Sequence, residues 1–253
     1  MFESNVALIL ARLDPAHLVL DVGGWACPFN RAQWVLDAEP YETRGFYRTF
    51  GGAPSQGGDR EWVRRETWVQ RDICGREPWP FRDKEFDFVV CSHTLEDLRD
   101  PLGVCSEIVR VGKAGYIEVP SRIFESTAGV EREHQAGLSH HRWLIEIRES
   151  RLLFLPKYHM IHAERRFHLP GSYLRGLPAE RSVQWLWWEG GFDFEEVQIH
   201  GLEAQEAELE RFVRATCPYP PWRRSLDRAN RWLGALPGRA IRRAGRLRDD
   251  RGA

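Results

Sequence analysis

Between His17 and Glu42 the sequence reads HLVLDVGGWACPFNRAQWVLDAEPYE: an apolar run closed by Asp21, a turn holding Gly23 and Gly24, and a second apolar run closed by Asp37. Runs that lack polar alternation, such as LVLDV here and FDFVV further on, suit strands covered on both faces, the condition inside a parallel sheet. Only about ten residues separate Asp21 from the next strand, close to the lower limit for a parallel crossover, so the connecting helix must shrink to about a turn. An acid closing a buried strand, a glycine turn that admits a ligand to the backbone, and an acid closing the next strand together make the parts of a nucleoside-binding crevice.

The following segments continue the register. WVQRDI places Asp72 at the end of a third apolar run, and EFDFVVCSHTLEDLRDP supplies a fourth strand, Phe86 to Cys91, followed by Ser92 and His93. Leu102 to Val111 reads as a helix with Asp100 and Pro101 as its start signals. Tyr116 to Val119 forms a fifth strand, stopped by Pro120.

In this order the residues resemble the class I S-adenosylmethionine-dependent methyltransferases of the type 11 group, and the Pro80 to Glu96 string carries most of the specificity. The resemblance covers roughly residues 16 to 120, with weaker echoes to about 200. It implies an α/β fold: a doubly wound, mostly parallel seven-stranded sheet with an antiparallel last strand pair. It also implies S-adenosylmethionine as cofactor. In such a protein Asp21 lies near the methionine end, with Gly23 and Gly24 letting the backbone approach. Asp37 accepts from the ribose hydroxyls through its two oxygens. Asp72 faces the adenine amino group, Ile73 packs on the ring, and Ser92 and His93 leave the fourth strand where the methyl group sits. One departure stands out. The family's GxGxG requires glycine where this chain has Trp25 and Cys27, so the indole either fills the pocket or stands outward as its wall.

A chain of 253 residues accommodates one α/β domain with decoration. The expected division is a methyltransferase-like domain over 1–204, with a substrate-side insertion at about 121–180, and a basic helical tail over 205–253. The five cysteines are odd in number and form no CxxC, which argues against a disulfide framework and a zinc ribbon and fits a reducing cytosol. No apolar run approaches the roughly 18 residues of a membrane span, and MFESNVALILARLD reads as an amphipathic first helix.

Six of the nine histidines, His134, His140, His141, His159, His162 and His168, fall between 121 and 170. Three readings stay open for them: general-base chemistry, with His93 and His141 as the candidate catalytic bases; a divalent metal helped by Glu125, Glu131 or Glu133; and plain hydrogen bonding of a loop to its scaffold. No fixed spacing such as HExxH is present, so no metal ligand is assigned. Arg122, His140 and Arg142 are expected to hold the acceptor, the arginines through a carboxylate or phosphate. SHHRWLIEI and RLLFLPKY, parted by a short polar turn, read as an inserted hairpin. Residues 44–65 carry GGAPSQGGD with no apolar period, and are either a ligand-side loop or an insertion.

SVQWLWWEGGFDFEEVQIHG, Ser182 to Gly201, reads as two strands joined at Glu189 to Gly191. Its alternation buries Trp185 and Trp187 on one face and turns Trp188 to the other. From Arg211 to Arg248 there are eleven arginines and one acid, Asp227. Leu226, Ala229, Leu233 and Leu236 recur there at helical spacing. Such a tail either rests on an anionic membrane surface, stays solvated, or docks on the core. Nucleic acid is not an expected partner, because CSHT stands where base-amino methylation needs NPPY or DPPY.

The expected function is transfer of a methyl group to a hydroxyl or amine of a small-molecule or glycan-linked acceptor, in the cytoplasm or at a membrane periphery. The alternative is a methyltransferase-like scaffold without turnover in a surface polysaccharide pathway.

Overall fold

The computed structural model describes residues 1–217. Six strands build the main sheet: β1 (Val19–Val22), β2 (Trp34–Asp37), β3 (Trp68–Gln70), β4 (Phe88–Ser92), β5 (Ala114–Pro120) and, after two strands that leave it, β8 (Val183–Glu189). Their order is β3-β2-β1-β4-β5-β8, parallel up to β5, with β8 antiparallel beside it. The reversal of direction between β2 and β4 about a central β1 opens a crevice at the carboxyl ends of β1 and β4.

Both faces of that sheet are covered, as the uninterrupted apolar runs demand. On one face Val19, Val90 and Tyr116 pack against Ile9, Val6 and Leu10 of α1 (Glu3–Arg12). On the other, Leu20, Val22, Val89 and Ile117 meet Val104, Ile108 and Val111 of α2 (Pro101–Val111). Burial of each such aliphatic side chain contributes about 1.5–3 kcal/mol. The start of α2 follows its sequence signals: the Asp100 carboxylate accepts the Gly103 N–H at 2.9 Å, and Pro101 occupies the first helical position. Short helices α3 (Arg122–Glu125) and α4 (Gly171–Arg175) flank the inserted segment, and α5 (Leu202–Thr216) closes the described chain.

The insertion contains β6 (Trp143–Arg148) and β7 (Arg151–Pro156), an antiparallel hairpin whose two turn residues, Glu149 and Ser150, have φ of 49° and 63°. Two consecutive left-handed residues match the twist of the flanking strands, which explains a two-residue turn without glycine. Leu152 and Phe154 of β7 reach the main core, so the insertion packs as part of the domain.

Two expectations are corrected here. Among the described residues the main sheet has six strands where seven were expected, and Ser182 to Gly201 does not fold back on itself. A single bridge joins Glu189 to Gly191, after which β9 (Asp193–Glu196) crosses to pair with β7, in parallel, in a separate sheet ordered β6-β7-β9. Phe192 and Phe194 pack there against the apolar cluster that holds Leu152 and Phe154, and at the exposed edge Arg151 on β7 sits 3.2 Å from Glu195 and 3.5 Å from Asp193. The tryptophans alternate as expected, but Trp188 is the most buried of them, its indole lying where a Cβ on Gly115 would come within 2.7 Å. The basic stretch from 218 onward lies outside the described residues.

Candidate functional site

Asp21 is the third residue of β1 and Ser92 the last of β4, and the register Asp21 to Val90 and Val22 to Cys91 sets these strand ends side by side. Asp21 is 3% exposed, and its Oδ2 accepts the Phe29 N–H at 2.8 Å. Burial pushes its carboxyl up; the Phe29 bond opposes that, the nearby Asp37 adds to it, and the result is about 7. A carboxyl poised in this way gains from a cationic neighbour, which restores its charge.

The glycines that follow serve the protein first. Gly23 has φ +73° and donates its N–H to Leu36 O at 2.9 Å; a Cβ there would lie 2.2 Å from Thr94 Oγ1. A Cβ on Gly24 would lie 2.2 Å from Asp21 Oδ2. The turn therefore needs glycine to seat Asp21 and Thr94, and both glycines also line a cavity.

That cavity, about 500 Å³, is bounded by Asp21, Gly23, Gly24, Ser92 and His93, and by Tyr47 and Gln56 from the 44–65 segment. The glycine-rich segment thus folds on the ligand side: Gln56 N donates to Pro28 O at 2.9 Å and Asn30 N to Gln56 O at 2.6 Å. Ser92 Oγ is buried with no hydrogen-bond partner among the described residues. Trp25 does not bound the cavity. Its ring stacks on Phe46 at 4.6 Å and its Nε1 donates to Thr43 at 2.9 Å, so the indole is turned outward and does not fill the pocket.

The other sequence-derived cofactor contacts are not brought to this cavity. Asp37 is 8% exposed, and its two oxygens accept the N–H groups of Trp25 and Glu39, each at 2.9 Å. Asp72 stands at the surface in an ion pair with Arg99 at 2.5 Å, which lowers its carboxyl. Ile73 lies in the core with Trp79 and Phe81. Spacing sets which strand ends carry acids, but the orientation of each carboxylate follows its local donors, and turn N–H groups and Arg99 compete successfully for these two. The residues present thus fit one end of S-adenosylmethionine, through Asp21, the glycine turn and Ser92. At the other end Asp37 keeps only the lone pairs its backbone bonds leave.

His93 is not placed as a base. It has φ +52°, its N–H donates to Glu118 O at 2.9 Å, and its ring spans two carboxylates, Nε2 to Glu118 at 3.1 Å and Nδ1 to Glu96 at 3.6 Å. Burial alone would lower its pKa, but Glu118 and Glu96 raise it to about 9, so the ring is an imidazolium at neutral pH. Glu118, which sequence reading missed, is the hub: fully buried, it also accepts from Phe2 N at 2.8 Å and from the Tyr116 hydroxyl. Burial would raise its carboxyl, yet His93, Tyr116 and Phe2 N–H together hold it at about 2. The signal was available, since a glutamate inside GYIEVP, a strand buried on both faces, must find a partner. A second cavity of about 320 Å³ meets the first at His93 and is bounded by Glu118, Phe124 and Leu138.

The remaining candidates lie in the insertion. His141 is buried with Nδ1 2.9 Å from Glu125; burial would lower its pKa, but Glu125 raises it, which also makes it a poor proton acceptor. His140 is exposed, 3.9 Å from Asp97. Arg122 is spent on this chain's own groups: it pairs with Glu146 and with Glu208 at 3.0 Å, and lies over the Phe212 ring at 4.1 Å. It bounds a separate cavity of about 550 Å³ rather than the one at the strand ends. Arg142 is exposed, with its N–H donating to Glu96 O at 2.7 Å.

The domain is doubly wound α/β, with a cavity at the switch point of its strand order, the place where sheets of this topology receive ligands. Residues 48–117 match the family model described as a methyltransferase domain. Among solved structures the chain is similar to the YcgJ protein from Bacillus subtilis, at 22% identity over 47% of this chain and 51% of that one, TM-score 0.32. It is also similar to a SAM-dependent methyltransferase from Aquifex aeolicus, at 16% identity over 48% and 65%, TM-score 0.31. The chain thus spans between half and two thirds of these proteins. No curated protein matches it. Among the described residues no helix is long and apolar enough to cross a membrane.

Proposed function

We propose that the protein binds S-adenosylmethionine in the crevice at the ends of β1 and β4 and transfers its methyl group to a hydroxyl or amine of a small-molecule or glycan-linked acceptor. The observation that carries this reading is the meeting of Asp21, Gly23, Gly24, Ser92 and His93 on one cavity at the switch point. When bound, the cofactor supplies a methyl group already activated for in-line attack.

The chain's own contribution is charge and position. Asp21 offers a carboxylate to the cofactor's cationic end. The His93 ring and the terminal ammonium of Met1 both face Glu118, and Glu96 adds a second carboxylate beside His93, so the charges of this cluster offset one another and Asp21 is left to meet a positive ligand. The cavity beyond His93, bounded by Glu118, Phe124 and Leu138, is an approach for an acceptor. Because His93 and His141 are both held toward the imidazolium by carboxylates, this reading assigns neither as a base; alignment and exclusion of water supply the acceleration.

A second reading has a specific observation behind it. Asp37 turned onto the backbone and Asp72 paired with Arg99 commit the two expected acids of the adenosine end to this chain's own groups, as expected of a domain that keeps the fold as a binding or scaffold module. Calorimetric titration with S-adenosylmethionine and S-adenosylhomocysteine separates the two readings. Saturable binding, lost in Asp21→Ala, supports the enzyme, whereas absence of binding to either compound supports the scaffold.

A further inference from the structure

We propose that Asp97, His140 and His141 form a site for one divalent transition-metal ion, beside the crevice and independent of cofactor binding. One donor atom from each residue lies within 4.8 Å of the other two. His140 Nε2 and His141 Nε2 stand 3.9 Å and 3.8 Å from the same Asp97 Oδ1. These separations are too long for hydrogen bonds. Two ligands of a tetrahedral ion with bonds near 2.1 Å lie about 3.4 Å apart, so the two edges to Asp97 must contract by about half an ångström and the third edge, within 4.8 Å, by at most about 1.4 Å to close the triad on a cation.

The surroundings are those of a supported ligand set. His141 Nδ1 is 2.9 Å from Glu125 Oε1, and the other oxygen of Glu125 accepts from Lys157 Nζ at 2.5 Å. Both supporting side chains are essentially fully buried. Such a carboxylate fixes the ring so that Nε2 is the nitrogen presented outward, the arrangement found behind metal-bound histidines. The two segments carrying the ligands are also tied together: Arg142 N and Trp143 N donate to Glu96 O at 2.7 Å and 3.2 Å, and Trp143 Nε1 donates to Leu98 O at 2.8 Å. Glu96 adds a buried carboxylate whose two oxygens have no hydrogen-bond partner among the described residues.

Two nitrogens and one carboxylate suit zinc, manganese, iron, cobalt or nickel, and suit magnesium or calcium poorly because those ions prefer oxygen. The His140 side chain is 61% exposed and Asp97 42%, which leaves outer coordination positions open to water or a ligand oxygen. The site adjoins the crevice through Glu96, the residue before Asp97, whose carboxylate lies 3.6 Å from Nδ1 of the cavity-lining His93. An ion here would polarise an oxygen of whatever enters that mouth.

The test uses the full chain, stripped of metal with a chelator, without cofactor. Zinc is titrated calorimetrically and cobalt is followed by its visible absorption. One equivalent is expected to bind, with affinity falling at least about 100-fold in His140→Ala and in Asp97→Asn, and unchanged in His134→Ala. His140 is a surface residue, so its variant is expected to melt at the wild-type temperature without metal. Three results would overturn the proposal: no saturable binding, native affinity retained in the His140 and Asp97 variants, or a cobalt spectrum dominated by thiolate charge transfer, which would assign the metal to cysteine. Because S-adenosylmethionine is absent throughout, failure here leaves the crevice assignment standing, and failure of cofactor binding leaves this one.

Discussion

His93 Nε2 and Glu118 Oε1 stand 3.1 Å apart, joining the segment after β4 to the interior of β5 beneath the crevice. The folded pKa of His93, about 9, exceeds its ordinary 6.5, so its contribution to stability is complete below about 6.5 and is lost as pH rises through 9. Glu118 runs the other way. Held at about 2 against 4.5, it stabilises above 4.5 and loses that effect as pH falls through 2. Glu118→Gln is expected to cost about 3 kcal/mol in urea unfolding at neutral pH. A proton NMR titration of His93 should show its midpoint near 9 and a fall toward ordinary histidine values in the variant.

Asp21 gives the cofactor a pH dependence. With a pKa near 7 the carboxyl is largely neutral in mild acid and ionised in mild base. A cationic ligand needs the ionised form, so calorimetric affinity for S-adenosylmethionine should rise from about pH 6 to about pH 8, by at most tenfold per unit below the pKa. The sign for stability is opposite. A carboxyl raised from 3.8 makes the unliganded fold lose stability as pH climbs from 3.8 to 7, so Asp21→Asn should be the more stable protein at pH 8 by about 1–3 kcal/mol. A flat affinity profile in the native chain would contradict this role.

The two outlying acids should separate cleanly. Asp37→Ala strands the N–H groups of Trp25 and Glu39 and is expected to destabilise the protein by about 2 kcal/mol or more. Asp72→Ala breaks an exposed pair with Arg99 and should cost under about 1 kcal/mol. Cofactor affinity in the Asp72 variant should match the native value; a tenfold loss would restore adenine recognition to that residue.

Gly23 and Gly190 share φ +73°, yet a Cβ at Gly23 meets Thr94 at 2.2 Å while one at Gly190 meets nothing within 4 Å. Gly190→Ala should therefore show backbone strain alone, about 1 kcal/mol. Gly23→Ala should cost at least about 2 kcal/mol more, as forced displacement of Thr94 adds to that strain. Equal thermal shifts in the two variants would show that Thr94 yields freely.

The sequence by itself determined the strands and the place of the crevice. Uninterrupted apolar runs are intelligible without coordinates because burial on both faces removes the need for alternation, and LVLDV, FDFVV and GYIEVP all became strands of the parallel sheet. The start of α2 at Asp100 and Pro101, and the turn between β6 and β7, were equally local matters. Only the tertiary structure decided where the polar atoms point. Asp37 turned to two turn amides, Asp72 to Arg99, Arg122 to Glu146 and Glu208, and His93 to two glutamates, one of them 25 residues away. The same holds for β9, which left its expected partner to pair with β7. Apolar burial is governed by a pattern each segment carries within itself, whereas a hydrogen bond or ion pair depends on which distant group arrives within about 3 Å, and that is fixed only when the chain has folded.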